Sequence, residues 1–312
     1  MSDPAVSVIT TLLNEIATVD ELIRSVWSGT KKPAQMVVAD GGSTDGTLDR
    51  LAAHLEAHPD LVVLTETGGR SAGRNAAIRA ATHPFIVSID GGCVPRSDWF
   101  ERLTGPFAWG ADLIGGFYEP KGESPLATAI GLTMVYVREE AEGHFVPSAR
   151  SMAFTRQLWE EEGGFSESLQ FGEDTAFVDG LMLKGHRVEF VPEAVVEWIP
   201  PSSLARQSMV MFQWGKGDGL AGLRASHYRR ILRDFAFTGI AVTVLAILKP
   251  ILAPVGLFIL APVIAGQTRL KYRHMDGISK WALIPIASLN GLASSLLGFL
   301  LGRRIRKRTE TS

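Results

Sequence analysis

The chain has 312 residues, of which 46% are hydrophobic and 21% are charged, and its formal net charge is −2. This balance excludes a disordered chain and a globally basic nucleic-acid-binding protein, so we expect no nucleic-acid partner. Cys93 is the single cysteine, which excludes an intramolecular disulfide and a zinc site built on several cysteines.

In chain order, apolar runs alternate with amphipathic segments. Strands are predicted over residues 6–12, 35–39, 61–64 and 85–89. Helices are predicted over residues 19–27, 47–57 and 72–81. This alternation predicts an α/β fold with a mostly parallel, doubly wound, Rossmann-like sheet.

Polar, glycine-rich loops follow the predicted strands. Their sequences are "TLLNE", "DGGSTDGT", "TGGRSAGRN" and "DGGCVP". Ligands of doubly wound sheets bind beyond the carboxyl ends of the strands, so these loops predict a binding site on one rim. In the last loop, the apolar run "FIVSID" delivers a single carboxylate, Asp90, to that rim.

Charged side chains in the second and third loops have two interpretations each. Asp40 can accept hydrogen bonds from a base or a ribose, or it can form an Asx-type turn before a helix capped by Asp45. Arg70 and Arg74 stand beside glycines at a helix start, where backbone amides and a guanidinium suit a diphosphate. The alternative for each arginine is a solvated surface position.

A pair of adjacent acids, Glu173 and Asp174, stands at the head of a helix predicted over residues 175–184. A carboxylate at a helix start is usually a cap or a partner of the helix dipole. This pair follows Gly172 and precedes an apolar helix. One carboxylate can therefore face the site as a general base while the other holds the loop.

Two apolar segments, about residues 235–265 and 281–302, are each long enough to cross a bilayer, since about 20 residues suffice. We therefore divide the chain into a soluble domain (1–220), a basic linker (221–234), membrane segments (235–302) and a basic cytoplasmic tail (303–312). Basic clusters at both ends favour the cytoplasm and hence two crossings, although the loop between the segments is also basic. Lys249-Pro250 interrupts the first segment, so a re-entrant hairpin is the alternative.

The stretches "VSVITTLLNE", "ADGGSTDGT", "GRSAGRNAAI", "SIDGGCVP", "GGFSE" and "GEDTAFVDGLMLKGHRVEFVPEAVV" occur in the order found in family 2 glycosyltransferases. The resemblance to this inverting group with the GT-A fold covers about residues 5–220. It implies a cytoplasmic, hexosyltransferase-type catalytic domain, and together with the two apolar segments this predicts a multi-pass enzyme of the inner (plasma) membrane. Such enzymes build bacterial exopolysaccharide or cell-wall glycans from nucleotide-sugars, here with a UDP-sugar favoured.

The resemblance also implies donor-side roles. Thr11 and Glu15 lie in the segment that resembles the nucleobase- and ribose-binding turn, and Asp40 matches the first acid of the Asp-Asp-Gly-Ser loop. Arg74 resembles the diphosphate-side arginine. Asp90 matches the first acid of the Asp-x-Asp metal motif, which implies Mg²⁺ or Mn²⁺ as cofactor.

The chain departs from the family pattern around that metal motif. Gly41 replaces a second aspartate, which weakens uracil recognition as an inference, and Gly92 stands where the second metal acid usually lies. Trp198 falls near a frequent histidine. Asp90 would then hold the metal with donor phosphates and waters, since Mg²⁺ typically keeps several waters. Gly91 and Gly92 would let the diphosphate and sugar lie against the backbone.

On the acceptor side, the resemblance makes Asp174 the catalytic base and Glu173 a supporting residue. The acceptor is expected to be a glycan or a polyprenyl-phosphate-linked sugar, with membrane lipids as further partners. In the helix predicted over residues 203–219, Gln213 and Trp214 resemble part of the Gln-x-x-Arg-Trp motif of processive members, whose arginine is missing. Lys216 is a candidate contact of the donor phosphates, and a plain surface lysine is the alternative.

Two rival functions stay open. The thinned metal motif is compatible with a catalytically weak, nucleotide-sugar-binding scaffold subunit of a membrane glycan assembly complex. A nicotinamide-dependent oxidoreductase would also use a sheet with glycine-rich loops. Its Gly-x-Gly-x-x-Gly fingerprint is absent from the first βα turn, "TLLNEIA".

Overall fold

The computed structural model describes residues 5–141, 145–249, 264–266 and 268–310. Pro250 and residues 251–263 of the first predicted membrane segment lie outside the described residues. The chain divides into two compact units. One comprises Met1–Pro120 and Ala141–Ile199, and the other comprises Lys121–Glu140 and Pro200–Ser312.

The described strands form one sheet. Their bounds are β1 Val6–Leu12, β2 Gln35–Asp40, β3 Leu61–Thr65, β4 Phe85–Ser88, β5 Cys93–Pro95, β6 Leu113–Pro120, β7 Met152–Thr155 and β8 Glu189–Trp198. The described α-helices are α1 Val19–Trp27, α2 Thr47–Leu55, α3 Arg70–Ala80, α4 Trp99–Thr104, α5 Pro125–Met134, α6 Arg138–Ala141, α7 Arg156–Glu162, α8 Glu173–Leu183, α9 Leu204–Ala221, α10 Ala225–Leu248 and α11 Lys280–Thr309. The early elements lie where the sequence predicts them, with bounds that differ by one or two residues.

The strand order is β3-β2-β1-β4-β7-β6-β8-β5. The first four strands are parallel and joined by helices, which confirms the predicted doubly wound part. Beyond β4 the sheet is mixed, because β7 runs antiparallel to both β4 and β6 and β5 runs antiparallel to β8. Antiparallel neighbours need no helical crossover, which explains why strand and helix alternate less regularly in this later part of the chain.

Helices cover the central parallel strands β1 and β2, so these two strands are buried along their length. β2 is buried at every position, and β1 at all but one. A strand covered on both faces reads as a continuous apolar run instead of an alternating one. The largest buried side chains of this core include Ile9, Ile86, Phe154 and Phe165.

In the second unit, α9 and α11 cross at glycines. A β-carbon added at Gly215 or Gly219 on α9 would overlap backbone atoms of α11, and one at Gly298 or Gly302 would overlap the backbone of α9. Small residues let helix backbones approach this closely. Residues 204–221 therefore pack with α11, and the first compact unit ends at Ile199, before the predicted domain boundary at residue 220.

Two described helices are long and apolar enough to cross a membrane, namely α10 and α11. They differ in how much of that apolar surface the protein itself covers. The most apolar window of α10 is 11% buried and that of α11 is 44% buried. α10 therefore presents most of its hydrophobic surface outward, as a membrane-contacting helix would.

Candidate active site

The carboxyl ends of neighbouring parallel strands bring Asp40 and Asp90 to one edge of the sheet. Asp40 is the last residue of β2 and pairs in register with Leu12 on β1. Asp90 follows β4, the other neighbour of β1. The direction of the connections reverses between β1 and β4, and ligands of doubly wound sheets bind at such a reversal.

Arg74, on α3, joins two carboxylates at this edge. Only 3% of Arg74 is exposed. Its Nη2 donates to Asp90 Oδ1 at 2.6 Å, and its Nη1 donates to Glu173 Oε1. Burial alone would lower the pKa of the guanidinium, but Asp90, Glu173 and Asp174 outweigh burial and raise it. Arg74 is therefore a permanently charged, buried link between the predicted metal ligand and the predicted catalytic pair, and not a solvated surface arginine.

Asp90 and Glu173 differ in how their surroundings treat a negative charge. Burial alone would raise the pKa of Asp90, but Arg74, Arg150 and Arg70 lower it below its usual value. Burial raises the pKa of Glu173, and the ion pair with Arg74 opposes that rise. The Asp90 side chain is 29% exposed and that of Glu173 only 4%. Asp90 is thus the ionised carboxylate that a ligand can reach.

Asp174 is held by backbone amides at the start of α8. Its Oδ2 accepts from the Ala149 N–H at 3.0 Å, and its Oδ1 accepts from the Thr175 N–H at 2.7 Å. A carboxylate has about four acceptor positions, so these bonds orient Asp174 and leave capacity for an acceptor hydroxyl. Its neighbour Glu173 is instead occupied by Arg74.

The loop before α8 is positioned by Asn75, a functional residue that the sequence analysis missed. Its Nδ2 donates to the Phe165 carbonyl and to Glu167, and its Oδ1 accepts from the Trp159 ring and from the Phe165 N–H. Asn75 is 4% exposed. The signal for it was a polar residue directly before the small and apolar helical stretch "AAI".

Asp40 shapes its own loop. Its Oδ2 accepts from the N–H groups of Gly42 and Ser43, and its Oδ1 accepts from the Ser43 hydroxyl at 2.6 Å. The residue is completely buried. Asp45 plays a similar part, because its Oδ1 accepts from the N–H of Thr47 at the start of α2. A contact between Asp40 and the nucleoside stays a prediction.

The loops after β1 and β4 touch at a glycine. A β-carbon at Gly91 would lie 2.8 Å from Leu12 Cδ2 and 3.3 Å from Glu15 Cγ. Glu15 is fixed there because its Oε2 accepts from the Thr18 hydroxyl at 2.6 Å. The residue after Asp90 is therefore a glycine, because the protein's own β1 loop fills the space that a side chain at residue 91 would need.

Thr11, Gly92 and Cys93 complete the surroundings of these loops. Thr11 is half-buried beneath α3, where a β-carbon at Gly73 would lie 2.9 Å from its methyl group. Gly92 adopts a positive φ of 72°, which favours glycine over other residues. Cys93 is completely buried, and burial raises the pKa of its thiol, which makes it a poor nucleophile.

Arg150 is a second arginine near Asp90 that the sequence analysis did not single out. Its guanidinium lies over the rings of Trp198 at 4.7 Å and Tyr118 at 5.3 Å. It is also close enough to Asp90 to lower the pKa of that carboxyl. No motif marked Arg150, because its place depends on strands that are distant in sequence.

A divalent metal at this site would have few protein ligands. Within the described residues there is no cluster of three or more His, Cys, Asp or Glu side chains placed to hold a metal. Asp90 is ionised and reachable, and Arg74 contacts one of its two oxygens. One carboxylate fits Mg²⁺ or Mn²⁺ only where donor phosphates and waters supply the remaining ligands, a common arrangement for Mg²⁺.

The remaining predicted residues, Gln213, Trp214 and Lys216, lie on α9 in the second unit. The backbone of Lys216 faces the close crossing with α11, at Gly298 and Gly302. A role of these side chains toward the donor stays a prediction.

Comparison with known proteins shows which family this chain is similar to. The family model described as "Glycosyl transferase family 2" matches residues 7–156. Glycosyltransferase AglE of Haloferax volcanii is 27% identical over 223 residues, which are 69% of this chain and 73% of that protein. The pre-mycofactocin glycosyltransferase of Mycobacterium tuberculosis is 27% identical over 293 residues, which are 87% of this chain and 52% of that protein. The chain thus spans about half the length of this second relative.

A solved structure gives the same result for the fold. The mannosyltransferase PcManGT of Pyrobaculum calidifontis, in complex with GDP-Man and Mn²⁺, matches with a TM-score of 0.59 at 19% identity. The match covers 100% of this chain and 89% of that one. Over residues 7–156 the chain therefore matches the glycosyl transferase family 2 model, and it has the GT-A fold.

Proposed function

We propose that this protein is an inverting glycosyltransferase that moves a sugar from a nucleotide-sugar to a glycan acceptor at the cytoplasmic face of a membrane. The observation that carries the proposal is the ion-pair cluster around Arg74. This side chain joins Asp90, on the predicted donor side, to Glu173, the neighbour of the predicted base Asp174. Groups suited to binding a diphosphate and to removing a proton therefore meet in one site.

In the proposed reaction, Asp174 removes the proton from an acceptor hydroxyl. The hydroxyl oxygen attacks the anomeric carbon from the face opposite the diphosphate, and the bond to the diphosphate oxygen breaks. Configuration inverts, so an α-linked donor gives a β-linked product. The amides of Ala149 and Thr175 hold the base in one orientation, which is the positioning that general-base catalysis needs.

On the donor side, Arg74 supplies a fixed positive charge where negative charge grows on the leaving diphosphate. Asp90 is the residue that would hold Mg²⁺ or Mn²⁺. The metal, when bound, would add further neutralisation of the diphosphate. PcManGT was solved with GDP-Man and Mn²⁺, so GDP-sugars belong beside UDP-sugars among the candidate donors.

We further propose that the acceptor is lipid-linked, through a polyprenyl phosphate, and that the protein associates with the plasma membrane. The support is α10, whose apolar surface is largely uncovered and includes the exposed side chains of Phe237, Ile240 and Ile247. Basic residues from Arg303 to Arg308 end α11, and such clusters favour the cytoplasmic side. The number of crossings stays as the sequence left it.

The test is donor cleavage and transfer by the full chain in detergent, with UDP-, GDP- and dTDP-sugars in Mg²⁺, Mn²⁺ or EDTA. Asp174→Asn is expected to lower turnover by about 10²–10⁴-fold, the usual worth of a positioned general base. Asp98→Asn is the matched control, because Asp98 forms a solvent-exposed ion pair with Arg102. Nucleotide release that survives Asp174→Asn unchanged would refute the assignment of the base.

The scaffold alternative has one observation in its favour. The described residues hold no cluster of three or more metal-ligating side chains, and Arg74 already contacts Asp90. A scaffold subunit would bind a nucleoside diphosphate and release none from any donor, with metal and candidate acceptors present. Turnover of any donor that depends on Asp174 would exclude this function.

A further inference from the structure

The short segment that carries Arg150 is tied to both halves of the site by the residue before it. The Ala149 N–H donates to Asp174, and the Ala149 carbonyl accepts from the Ser88 hydroxyl at 3.0 Å. Ser88 is the last residue of β4, just before Asp90. The backbone at residue 149 thus has a fixed distance to the predicted base and to the strand that presents Asp90.

The guanidinium of Arg150 lies over two aromatic rings. Trp198 is 9% exposed and Tyr118 is 8% exposed, and the guanidinium lies within cation–π distance of both rings. Trp198 pairs in register with Cys93 across β8 and β5. The strand that carries Trp198 is therefore paired with the strand that follows Asp90. The ring that contacts Arg150 and the loop of Asp90 thus belong to the same part of the sheet.

Arg150 differs from Arg74 in what it can offer a ligand. Arg74 is almost fully buried and is bound by two carboxylates, so it can act on the diphosphate through its fixed charge, but turning it toward a ligand would strip that buried charge of its partners. Arg150 is only half-buried, so a ligand can reach its guanidinium while it stays in place over the two rings. Aromatic contacts use the face of a guanidinium, whereas its N–H donors lie in the plane and match phosphate oxygens in pairs.

We propose that Arg150 is a donor-binding residue that contacts the diphosphate of the nucleotide-sugar and supplies charge that the sparse metal shell does not. This inference rests on the proposed function. A guanidinium fixed on Trp198 and Tyr118 cannot dissociate as a weakly held metal can. Nucleoside diphosphate binding should therefore persist without metal and depend on Arg150.

The experiment is calorimetric titration of the detergent-solubilised full chain with UDP, GDP, dTDP and the matching monophosphates, in EDTA and in Mn²⁺. In EDTA, the wild-type protein is expected to bind one diphosphate more tightly than the matching monophosphate. Arg150→Gln is expected to weaken the diphosphate by about tenfold, the worth of a charge-assisted hydrogen bond, and the monophosphate much less. Arg187→Gln is the control, since Arg187 is an exposed arginine of the same unit, and both affinities should stay at wild-type values.

Two further variants separate charge from folding. Arg150→Lys keeps a charge without the planar fork, and its affinity for the diphosphate is expected to fall between that of the wild type and that of Arg150→Gln. Trp198→Leu removes one supporting ring and should weaken the diphosphate selectively as well. Should Arg150→Gln fail to fold, these two variants carry the same comparison.

The outcomes distinguish this inference from the function on which it rests. Equal losses for diphosphate and monophosphate, or no loss for either, would overturn the role of Arg150 and leave the proposed function standing. A wild-type protein that binds none of UDP, GDP and dTDP, with or without Mn²⁺, would overturn the proposed function and the role of Arg150 with it.

Discussion

Replacing Arg74 with methionine tests whether the buried ion-pair cluster stabilises the fold. Methionine keeps much of the side-chain volume and removes the charge, which leaves Glu173, 4% exposed, without its cation. Removing one partner of a buried pair costs about 3–5 kcal/mol. For a domain of this size, about 1 kcal/mol shifts the unfolding midpoint by roughly 2–4 °C, so we expect a fall of roughly 6–20 °C.

The assay is thermal unfolding of the full chain in detergent, followed by tryptophan fluorescence. The double variant Arg74→Met with Glu173→Gln removes the orphaned charge and should regain part of the loss, since the residues are directly coupled. Arg102→Met is the matched control, because Arg102 pairs with Asp98 in solvent and exposed pairs contribute little. Its midpoint should stay close to that of the wild type.

The stability loss of Arg74→Met should also depend on pH in a definite direction. Without Arg74, burial and the charge of Asp174 hold the folded-state pKa of Glu173 above the unfolded value. Such a carboxyl contributes stability below the unfolded pKa and loses it as pH rises through the folded pKa. The deficit of Arg74→Met should therefore be larger at pH 8 than at pH 5. A midpoint equal to that of the wild type at both pH values would refute the reasoning.

Three further predictions concern single residues. Asn75→Ala leaves the buried N–H groups of Phe165 and the Trp159 ring without their acceptor; at about 1–3 kcal/mol each, it should lower the unfolding midpoint and increase proteolysis of the loop before α8. The pKa of Asp90 is lowered in the fold, so its contribution to stability is present above its unfolded-state pKa of about 4 and is lost as pH falls below that value. The difference in stability between the wild type and Asp90→Asn should therefore shrink between pH 6 and pH 3. A constant difference would contradict the ion pair. Cys93 is completely buried with a raised thiol pKa, so maleimide should label it only after denaturation, and rapid labelling of the folded chain would show that the region opens.

The parallel half of the fold was predictable because its signals are local. Each buried strand is a continuous apolar run, and each helix between them shows its own period, so β1 to β4 follow from the sequence within a residue or two at most ends. The antiparallel β7 was not predictable in this way. Its pairing with β4 joins Phe85 to Thr155, which are distant in sequence, and no local pattern encodes that choice.

The candidate site, like the fold, was predictable only where the signal in the sequence is local. Motif order singled out Arg74, Asp90 and Asp174 as candidates, but motifs carry no distances, so the ion pairs of Arg74 needed the structure. Arg150 depends on even less local information. Its supports Tyr118 and Trp198 come from β6 and β8, and a lone arginine before "SMAF" has no distinguishing pattern.

The glycine crossing of α9 and α11 leaves a mark that a saturation mutagenesis screen would record. At Gly215, Gly219, Gly298 and Gly302 even alanine would place a carbon onto the partner helix's backbone. Elsewhere on α11, outward-facing positions such as Leu297 can exchange one apolar residue for another. The screen would therefore show intolerant positions every four residues within otherwise permissive helices. That periodicity would identify the α9–α11 contact from growth phenotypes alone, without any measurement of structure.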